Sequence, residues 1–333
     1  MKGHPPETAT FERITDAKNW AADTESAMRE NRYFKTSKSQ KYTVAEVIER
    51  YKNDYLKRNP KRETDIERKL DWWKKQIGYY TLADISKSLI IEKRDLLLNT
   101  PKKNNAPRTP ATVNRFMTAL SHAFTITIKE WEWMEDHPMR KISKLQEPRG
   151  RVRFLDNDER KRILETCAES RSPHLYLIVM VALSTGARQG EILGLKWKDV
   201  DFERRIITLH HTKNGERRIL PISNHVLPLL QAHHEARSKH ADYVFPSPRH
   251  NRPLNIRIAW ESAVTKAKVE DFRFHDLRHS AASYLAMNGA TTSEIAEVLG
   301  HKTLAMVKRY SHLSEAHTAG VVERMNSKIF GAP

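Results

Sequence analysis

The sequence predicts a mainly α-helical protein of the α+β class, in which a small β-hairpin or sheet interrupts an otherwise helical second half. Three observations carry this reading. Apolar residues recur at helical spacing over most of the chain, two β-prone runs flank an Asn-Gly pair, and 333 residues exceed what one compact core accommodates. Two or three domains are therefore expected.

Residues 1–40 open with Gly3-His4-Pro5-Pro6 and continue into a helix from about Asp16 to Arg29, with Trp20, Ala21, Thr24 and Ala27 on one face. This piece is too short to fold alone, and the basic stretch from Lys35 to Lys41 after it reads as a linker. Residues 41–145 read as a small all-helical domain. Val44, Val47, Ile48 and Tyr51 share a helix face, as do Leu82, Ile85, Leu89 and Ile90, and a third stretch carries Val113, Phe116, Met117, Leu120, Ala123 and Phe124. The basic loops Lys57-Arg58-Asn59-Pro60-Lys61-Arg62 and Lys102-Lys103-Asn104-Asn105 suit phosphate contact, although a solvated turn accounts for either one taken singly. Trp72, Trp73, Trp131 and Trp133 read as packing rather than as a base-stacking platform.

Lys141 to Arg153 is rich in Lys, Arg, Gln, Pro and Gly, and a larger domain, 146–333, begins there. Acidic residues at Asp156 and Asp158 favour a helix start. A second helix begins near Pro173 and contains Leu175 to Leu183, which is apolar all round and should be buried. Arg205 to His210 and Arg217 to Ile222 form the hairpin, with Lys213 at its tip beside Asn214-Gly215. Helices follow from near Asn224, Asn255, His275, Ser293 and Thr303, and Thr291 makes a capping box with Glu294.

Composition narrows the partner. A net charge of +17 favours a polyanion, because excess positive charge attracts phosphate independently of sequence. Cys167, the single cysteine, excludes an intrachain disulfide and fits a reducing cytoplasm. The longest apolar run falls short of the roughly 20 residues that span a bilayer, and the N-terminus lacks a signal-peptide core, so a soluble intracellular protein is expected. No Cys/His run has zinc spacing, and His210-His211 and His233-His234 lack a carboxylate or cysteine at ligand distance.

Chemistry is concentrated in four segments: Ser184-Thr185-Gly186-Ala187-Arg188-Gln189-Gly190-Glu191, the hairpin with Lys213, His275-Asp276-Leu277-Arg278-His279, and Leu299-Gly300-His301 followed by Tyr310. Metal-free cleavage of a phosphodiester needs a nucleophile, donors to the non-bridging oxygens and an acid for the leaving oxygen. Arginine forks match a phosphate and a lysine can deliver a proton. His275 and Arg278 share a helix face, Gly300 ends a helix and leaves His301 just outside it, and Tyr310 lies along the helix after Thr303 on a side shared with Met306 and Val307, its phenol end available. Glu191 reads as structural, orienting Arg188 or capping a helix, and His279 as a satisfied helix residue facing the core.

These boxes, with the Arg309-Tyr310-Ser311-His312-Leu313 ending, resemble the signatures of tyrosine site-specific recombinases of the phage-integrase family, in the same order and with the same His-to-Tyr spacing. The resemblance covers the C-terminal domain box by box; the helical domain is similar to the family's core-binding domain in size, position and pattern. It implies two domains that clamp duplex DNA, with Arg188 and Arg278 holding the scissile phosphate and His301 donating to a non-bridging oxygen. Lys213 would protonate the leaving 5′ oxygen, His275 would accept or relay the proton of Tyr310, and Tyr310 would form a 3′-phosphotyrosine. Two rounds of exchange through a four-way junction then recombine the strands without ATP or a cofactor.

The same resemblance implies double-stranded attachment sites, a tetramer on DNA with the tail Ser314 to Pro333 docking on a neighbour, and a DNA-bending host factor and an excisionase as further partners. Residues 3–30 are similar to the last strand and helix of the family's arm-binding domain, whose earlier strands are missing, so that unit reads as truncated. Rival readings are a type IB topoisomerase, a catalytically silent DNA-binding regulator on the same fold, and a metal-dependent nuclease, the last disfavoured by the lack of clustered carboxylates.

Overall fold

Residues 8–29, 37–58, 63–101, 105–148, 150–210, 217–237, 241–247 and 250–331 are described in the computed structural model of the chain. They fall into two units, Met1–Arg149 and Gly150–Pro333.

The first unit is helical: α1 (Ile14–Arg29), α2 (Ser37–Lys41), α3 (Val44–Asp54), α4 (Glu63–Ile77), α5 (Lys87–Asn99) and α6 (Pro110–Lys129). Local chemistry sets the helix starts. Thr43 caps α3 in a reciprocal box with Glu46, and Thr109 caps α6 with Pro110 in its first turn, where a missing N–H costs nothing. Val44, Val47, Ile48, Leu70, Trp73, Ile77, Ile90, Leu97, Leu120 and Phe124 make a common core. Trp73 is fully buried and donates from Nε1 to the Phe116 carbonyl at 2.9 Å, and Trp131 and Trp133 are buried too, so these tryptophans pack as expected. Asn114 ties down the chain leaving the unit, donating to the Leu145 carbonyl at 2.9 Å and accepting from the Leu145 amide at 2.9 Å.

The second unit begins with α7 (Asn157–Ala168), α8 (Leu175–Thr185) and α9 (Gln189–Leu193). A three-stranded antiparallel sheet of β1 (Val200–Asp201), β2 (Ile206–Leu209) and β3 (Arg218–Pro221) follows, in the order β1-β2-β3. The register pairs Ile207 with Leu220 and Leu209 with Arg218. Next come α10 (Leu227–Glu235), the short antiparallel pair β4 (Pro246–Ser247) and β5 (His250–Pro253), α11 (Arg257–Lys266), α12 (Asp276–Met287), α13 (Thr292–Leu299) and α14 (Glu315–Phe330). Helix α8 is the centre of the core: Leu175, Ile178, Val179 and Val181 are buried. Helix α12 packs across it, and Ser280 joins α12 to the start of α7 by accepting from the Leu155 amide at 3.1 Å.

Several sequence expectations change. The hairpin gains the edge strand β1, and a second small sheet is present. The helix expected from Thr303 is instead two 3-10 segments, Leu304–Met306 and Lys308–Ser314, before α14 begins. Three-residue periodicity alters which side chains share a face, so Val307 and Tyr310 are buried together while Met306 is 49% exposed. Gly3 to Pro6, Asn59 to Arg62, Lys102 to Asn104 and the hairpin tip with Lys213 and Asn214-Gly215 lie outside the described residues.

Candidate active site

Arg188 is placed by the turn between α8 and α9. Gly186 ends α8 in the left-handed region, at φ 60° and ψ 18°, where a Cβ would also lie 2.4 Å from Cδ2 of Leu299, so glycine is required twice over. Two residues on, Arg188 is extended and starts α9. Glu191 holds it from both ends: Oε2 accepts from the Arg188 amide at 2.9 Å and Oε1 from Nη1 at 2.7 Å. Glu191 thus both caps and orients.

The same carboxylate has a second arginine that the sequence reading left in a strand. Arg218, the first residue of β3, donates from Nη2 to Oε2 of Glu191 at 3.0 Å and from Nη1 to the Leu299 carbonyl. That carbonyl also accepts from Nη2 of Arg278 at 2.6 Å, while Nη1 of Arg278 donates to the Gly186 carbonyl at 2.7 Å. Arg188, Glu191, Arg218, the Leu299 carbonyl and Arg278 therefore form one continuous chain of partners. It joins α9, β3, α12 and the end of α13.

Three guanidiniums face one carboxylate, so the cluster keeps a net positive charge suited to an anion. Burial would raise the Glu191 carboxyl, yet the Arg188 hydrogen bonds and the charges of Arg218 and Arg188 leave it below its ordinary value. Burial, then the charges of Arg188 and Arg218, push Arg278 down to about 9, which keeps it protonated at neutral pH. The site holds its charge in spite of the burial.

Gly300 closes α13 at φ 64° and ψ 49°, and the His301 amide donates to the Ala296 carbonyl at 2.8 Å, so His301 emerges at a set point beyond the helix. A Cβ on Gly300 would stand 2.8 Å from Cδ and Nη1 of Arg218. Nδ1 of His301 is buried and has no hydrogen-bond partner among the described residues. Burial first, then Arg278, Arg188, Arg309 and Arg218, push the imidazole down to about 4. His301 thus sits within the field of all three clustered arginines.

Tyr310 is 2% exposed, in a small apolar cluster with Ala282, Ala286, Ile295, Leu299 and Val307. Its hydroxyl does not stand open as the sequence reading expected; it meets Nδ1 of His279 at 2.5 Å. Burial raises the phenol, and Arg309 and Arg278 act against that rise. Tyr310 is therefore electrostatically coupled to Arg278. His275, expected as its proton partner, is exposed at the head of α12, its ring edge-on to His279 with centroids 5.5 Å apart.

Of the six residues expected from the sequence, Arg188, Arg278 and His301 converge, Tyr310 adjoins them, and His275 stands edge-on to His279, the residue that meets the Tyr310 hydroxyl. Lys213 is outside the described residues. Sequence reasoning did not single out Arg218; His279, read as a satisfied helix residue, is satisfied by the Tyr310 hydroxyl. Only the phase of β3 distinguishes Arg218, which shares the buried side with Leu220 while Ile219 is half-exposed, and two adjacent apolar residues do not reveal that phase in the sequence. Among the described residues no group of three or more His, Cys, Asp or Glu is placed to hold a metal ion, and no helix is long and apolar enough to cross a membrane.

Residues 153–317 match the phage integrase family. The chain is 31% identical over 244 residues to a shufflon-specific DNA recombinase of Escherichia coli, covering 71% of this chain and 60% of the relative. To the integrase of Salmonella phage P22 it is 32% identical over 243 residues, covering 69% and 60%. The chain therefore spans about three fifths of the length of these curated relatives. In fold it is similar to the Tn1549 transposon integrase in complex with a circular intermediate DNA, with a TM-score of 0.66 at 18% identity over 85% of this chain and 99% of that one. A lambda integrase dimer bound to a core site gives 0.63 at 20% identity, covering 79% and 97%. The order of the boxes, the convergence of their side chains and the family match agree: residues 153–317 of the chain belong to the phage integrase family of tyrosine recombinases.

Proposed function

We propose that this chain is a site-specific DNA recombinase that cuts and rejoins double-stranded DNA through a covalent bond between Tyr310 and a DNA phosphate. The observation that carries the reading is the pairing of Arg188 and Arg278 through Glu191, Arg218 and the Leu299 carbonyl, with Tyr310 in the electrostatic field of Arg278. A phosphodiester placed there meets two guanidinium forks, whose preset charge stabilises the five-coordinate transition state more than the ground state. His301 supplies a further donor to a non-bridging oxygen.

In the forward step the phenol oxygen of Tyr310 bonds to phosphorus and its proton passes to the histidine pair of α12, His275 and His279. The bond from phosphorus to the 5′ oxygen breaks, and that oxygen takes a proton from Lys213, a role that rests on the family resemblance. The 3′-phosphotyrosine stores the bond, so a 5′ hydroxyl from a partner strand reverses the step without ATP. Residues 41–145 act as the core-binding domain, and the family's four-way junction and tetramer belong to the same proposal. The row of Val321, Val322, Met325, Ile329 and Phe330 exposed on α14 supports self-association. Host DNA-bending factors and an excisionase are further partners in this reading, and the cytoplasm is its setting.

The test uses nicked suicide DNA carrying the element's own junction, with EDTA present. Wild-type protein is expected to form a covalent complex that survives denaturant, and Tyr310→Phe to form none. Sedimentation of complexes on paired sites reads the tetramer. No covalent complex from wild-type protein, or an equal yield from Tyr310→Phe, overturns the reading; relaxation of plasmid lacking any such site redirects it to a topoisomerase.

A further inference from the structure

We infer that Arg151 is a positioning residue for DNA cleavage: through the buried carboxylate of Asp276 it fixes the first turn of α12 and with it His275. The inference rests on the proposed cleavage reaction and deepens it. Residues 150–155 open the second unit and belong to no helix or strand, yet they run along α12. Arg151 pairs with Asp276 in its first turn, the Leu155 amide donates to Oγ of Ser280 at 3.1 Å, and the Leu155 carbonyl accepts from the Tyr284 hydroxyl at 2.8 Å. Asp276, Ser280 and Tyr284 follow one another at four-residue intervals, so one face of α12 is given over to this segment. Val152 packs against the apolar cluster that holds Tyr310, and Gly150 lets the Arg309 guanidinium approach, since a Cβ there would stand 3.0 Å from Nη1.

The chain enters α12 through a turn that needs support from outside. Lys268 and Asp271 take φ 50° and 44°, in the left-handed region that costs a residue with a side chain free energy and persists only where neighbours hold it. Arg151 supplies such a hold. Its Nη2 donates to the Asp271 carbonyl and, at 2.5 Å, to Oδ2 of Asp276, while Nη1 pairs with the Asp271 carboxylate. Arg153 adds a second contact, its guanidinium lying over the Phe272 ring at 5.4 Å from the centroid.

Asp276 closes the turn from within, because Oδ2 also accepts from the Arg273 amide at 2.7 Å. Its side chain is 7% exposed, against 75% for Asp271. The pair with Asp276 therefore dominates: an exposed ion pair contributes little, whereas a buried carboxylate that loses its cation is left desolvated. His275 lies inside the turn 273–276 that this carboxylate closes. Arg278 has bonds of its own to the Gly186 and Leu299 carbonyls, so loosening the turn displaces His275 more than it displaces Arg278.

The experiment is single-turnover formation of the covalent complex by the full chain on suicide DNA, measured from low to saturating DNA, for wild type, Arg151→Ala, His275→Ala and the double variant. Melting curves are recorded first, and rates are taken well below each transition. Arg151→Ala is expected to be slower by roughly 10- to 100-fold at saturating DNA, the scale of a misplaced reacting group, with the half-saturating DNA concentration within about threefold of wild type. The double variant is expected to match His275→Ala, because Arg151 acts through that residue. Where Arg151→Ala does not fold, Asp276→Asn carries the same comparisons, since it keeps the acceptor for the Arg273 amide and gives up the charge that faces Arg151. Three results overturn the inference: a saturated rate within about threefold of wild type, a loss confined to the half-saturating concentration, which would make Arg151 a phosphate contact, or a double variant in which the two single losses multiply. Absence of any complex from wild-type protein sinks the cleavage reaction itself; a reactive wild type with an equally reactive Arg151→Ala sinks only the role of Arg151.

Discussion

Replacing Glu191 with alanine removes the one carboxylate that two guanidiniums share, and the cost can be worked from the geometry. The Glu191 side chain is 6% exposed, against 21% for Arg188 and 9% for Arg218. Removing one partner of a buried ion pair costs about 3–5 kcal/mol, because the remaining charge stays desolvated. The lower end is expected here, since Arg188 keeps part of its side chain in water. For a unit of this size each kcal/mol moves the melting temperature by roughly 2–4 °C, so a loss of about 3 kcal/mol should lower the transition by about 6–12 °C. Calorimetry of the full chain reads the shift, and Glu191→Gln, which retains shape and acceptor but not charge, should fall between wild type and Glu191→Ala.

The pH dependence has a definite sign. The folded carboxyl titrates below its ordinary 4.5, so near that pH the unfolded chain binds more protons than the folded one. The stability Glu191 contributes is complete above about pH 4.5 and drains away as pH falls through the lower folded value. Glu191→Gln should flatten that part of the acid profile. An alanine variant melting within roughly 2 °C of wild type, with an unchanged acid profile, would refute the shared-carboxylate argument.

Two further outcomes are expected. Gly300→Ala forces a side chain into the left-handed region and against the pinned Arg218 guanidinium; a loss of at least about 1–2 kcal/mol follows from the backbone alone, read as a lower urea midpoint, and an unchanged midpoint contradicts it. Ring-proton NMR should place His301 near 4 in the free protein, with the value rising when DNA binds and its phosphate offsets the arginines. Because the folded value lies below the unfolded one, His301 takes stability away as pH falls from about 6.5 toward 4; a free-protein titration at 6.5 contradicts that reading.

What the sequence by itself determined is everything whose cause lies within a few residues. The apolar run of α8, the Thr291 and Glu294 cap, the Gly300 ending that sets out His301, and the two longer strands of the sheet follow from periodicity and capping chemistry. The Tyr310 helix was misread because i,i+3 spacing with Val307 fits a 3-10 segment as well as an α-helix. Tertiary structure alone decided which side chains share partners. Arg218 reaches Leu299 across 81 positions and Arg278 reaches Gly186 across 92, and no local pattern records such meetings. Arg217 and Arg218 are chemically identical neighbours, and adjacent apolar Ile219 and Leu220 leave the strand's phase ambiguous; packing of β3 against the end of α13 makes the choice. His279 likewise became the partner of Tyr310 only when the 3-10 segment folded onto α12. Short-range sterics write helices and turns into a sequence, whereas convergence of distant groups is settled by how the finished elements pack.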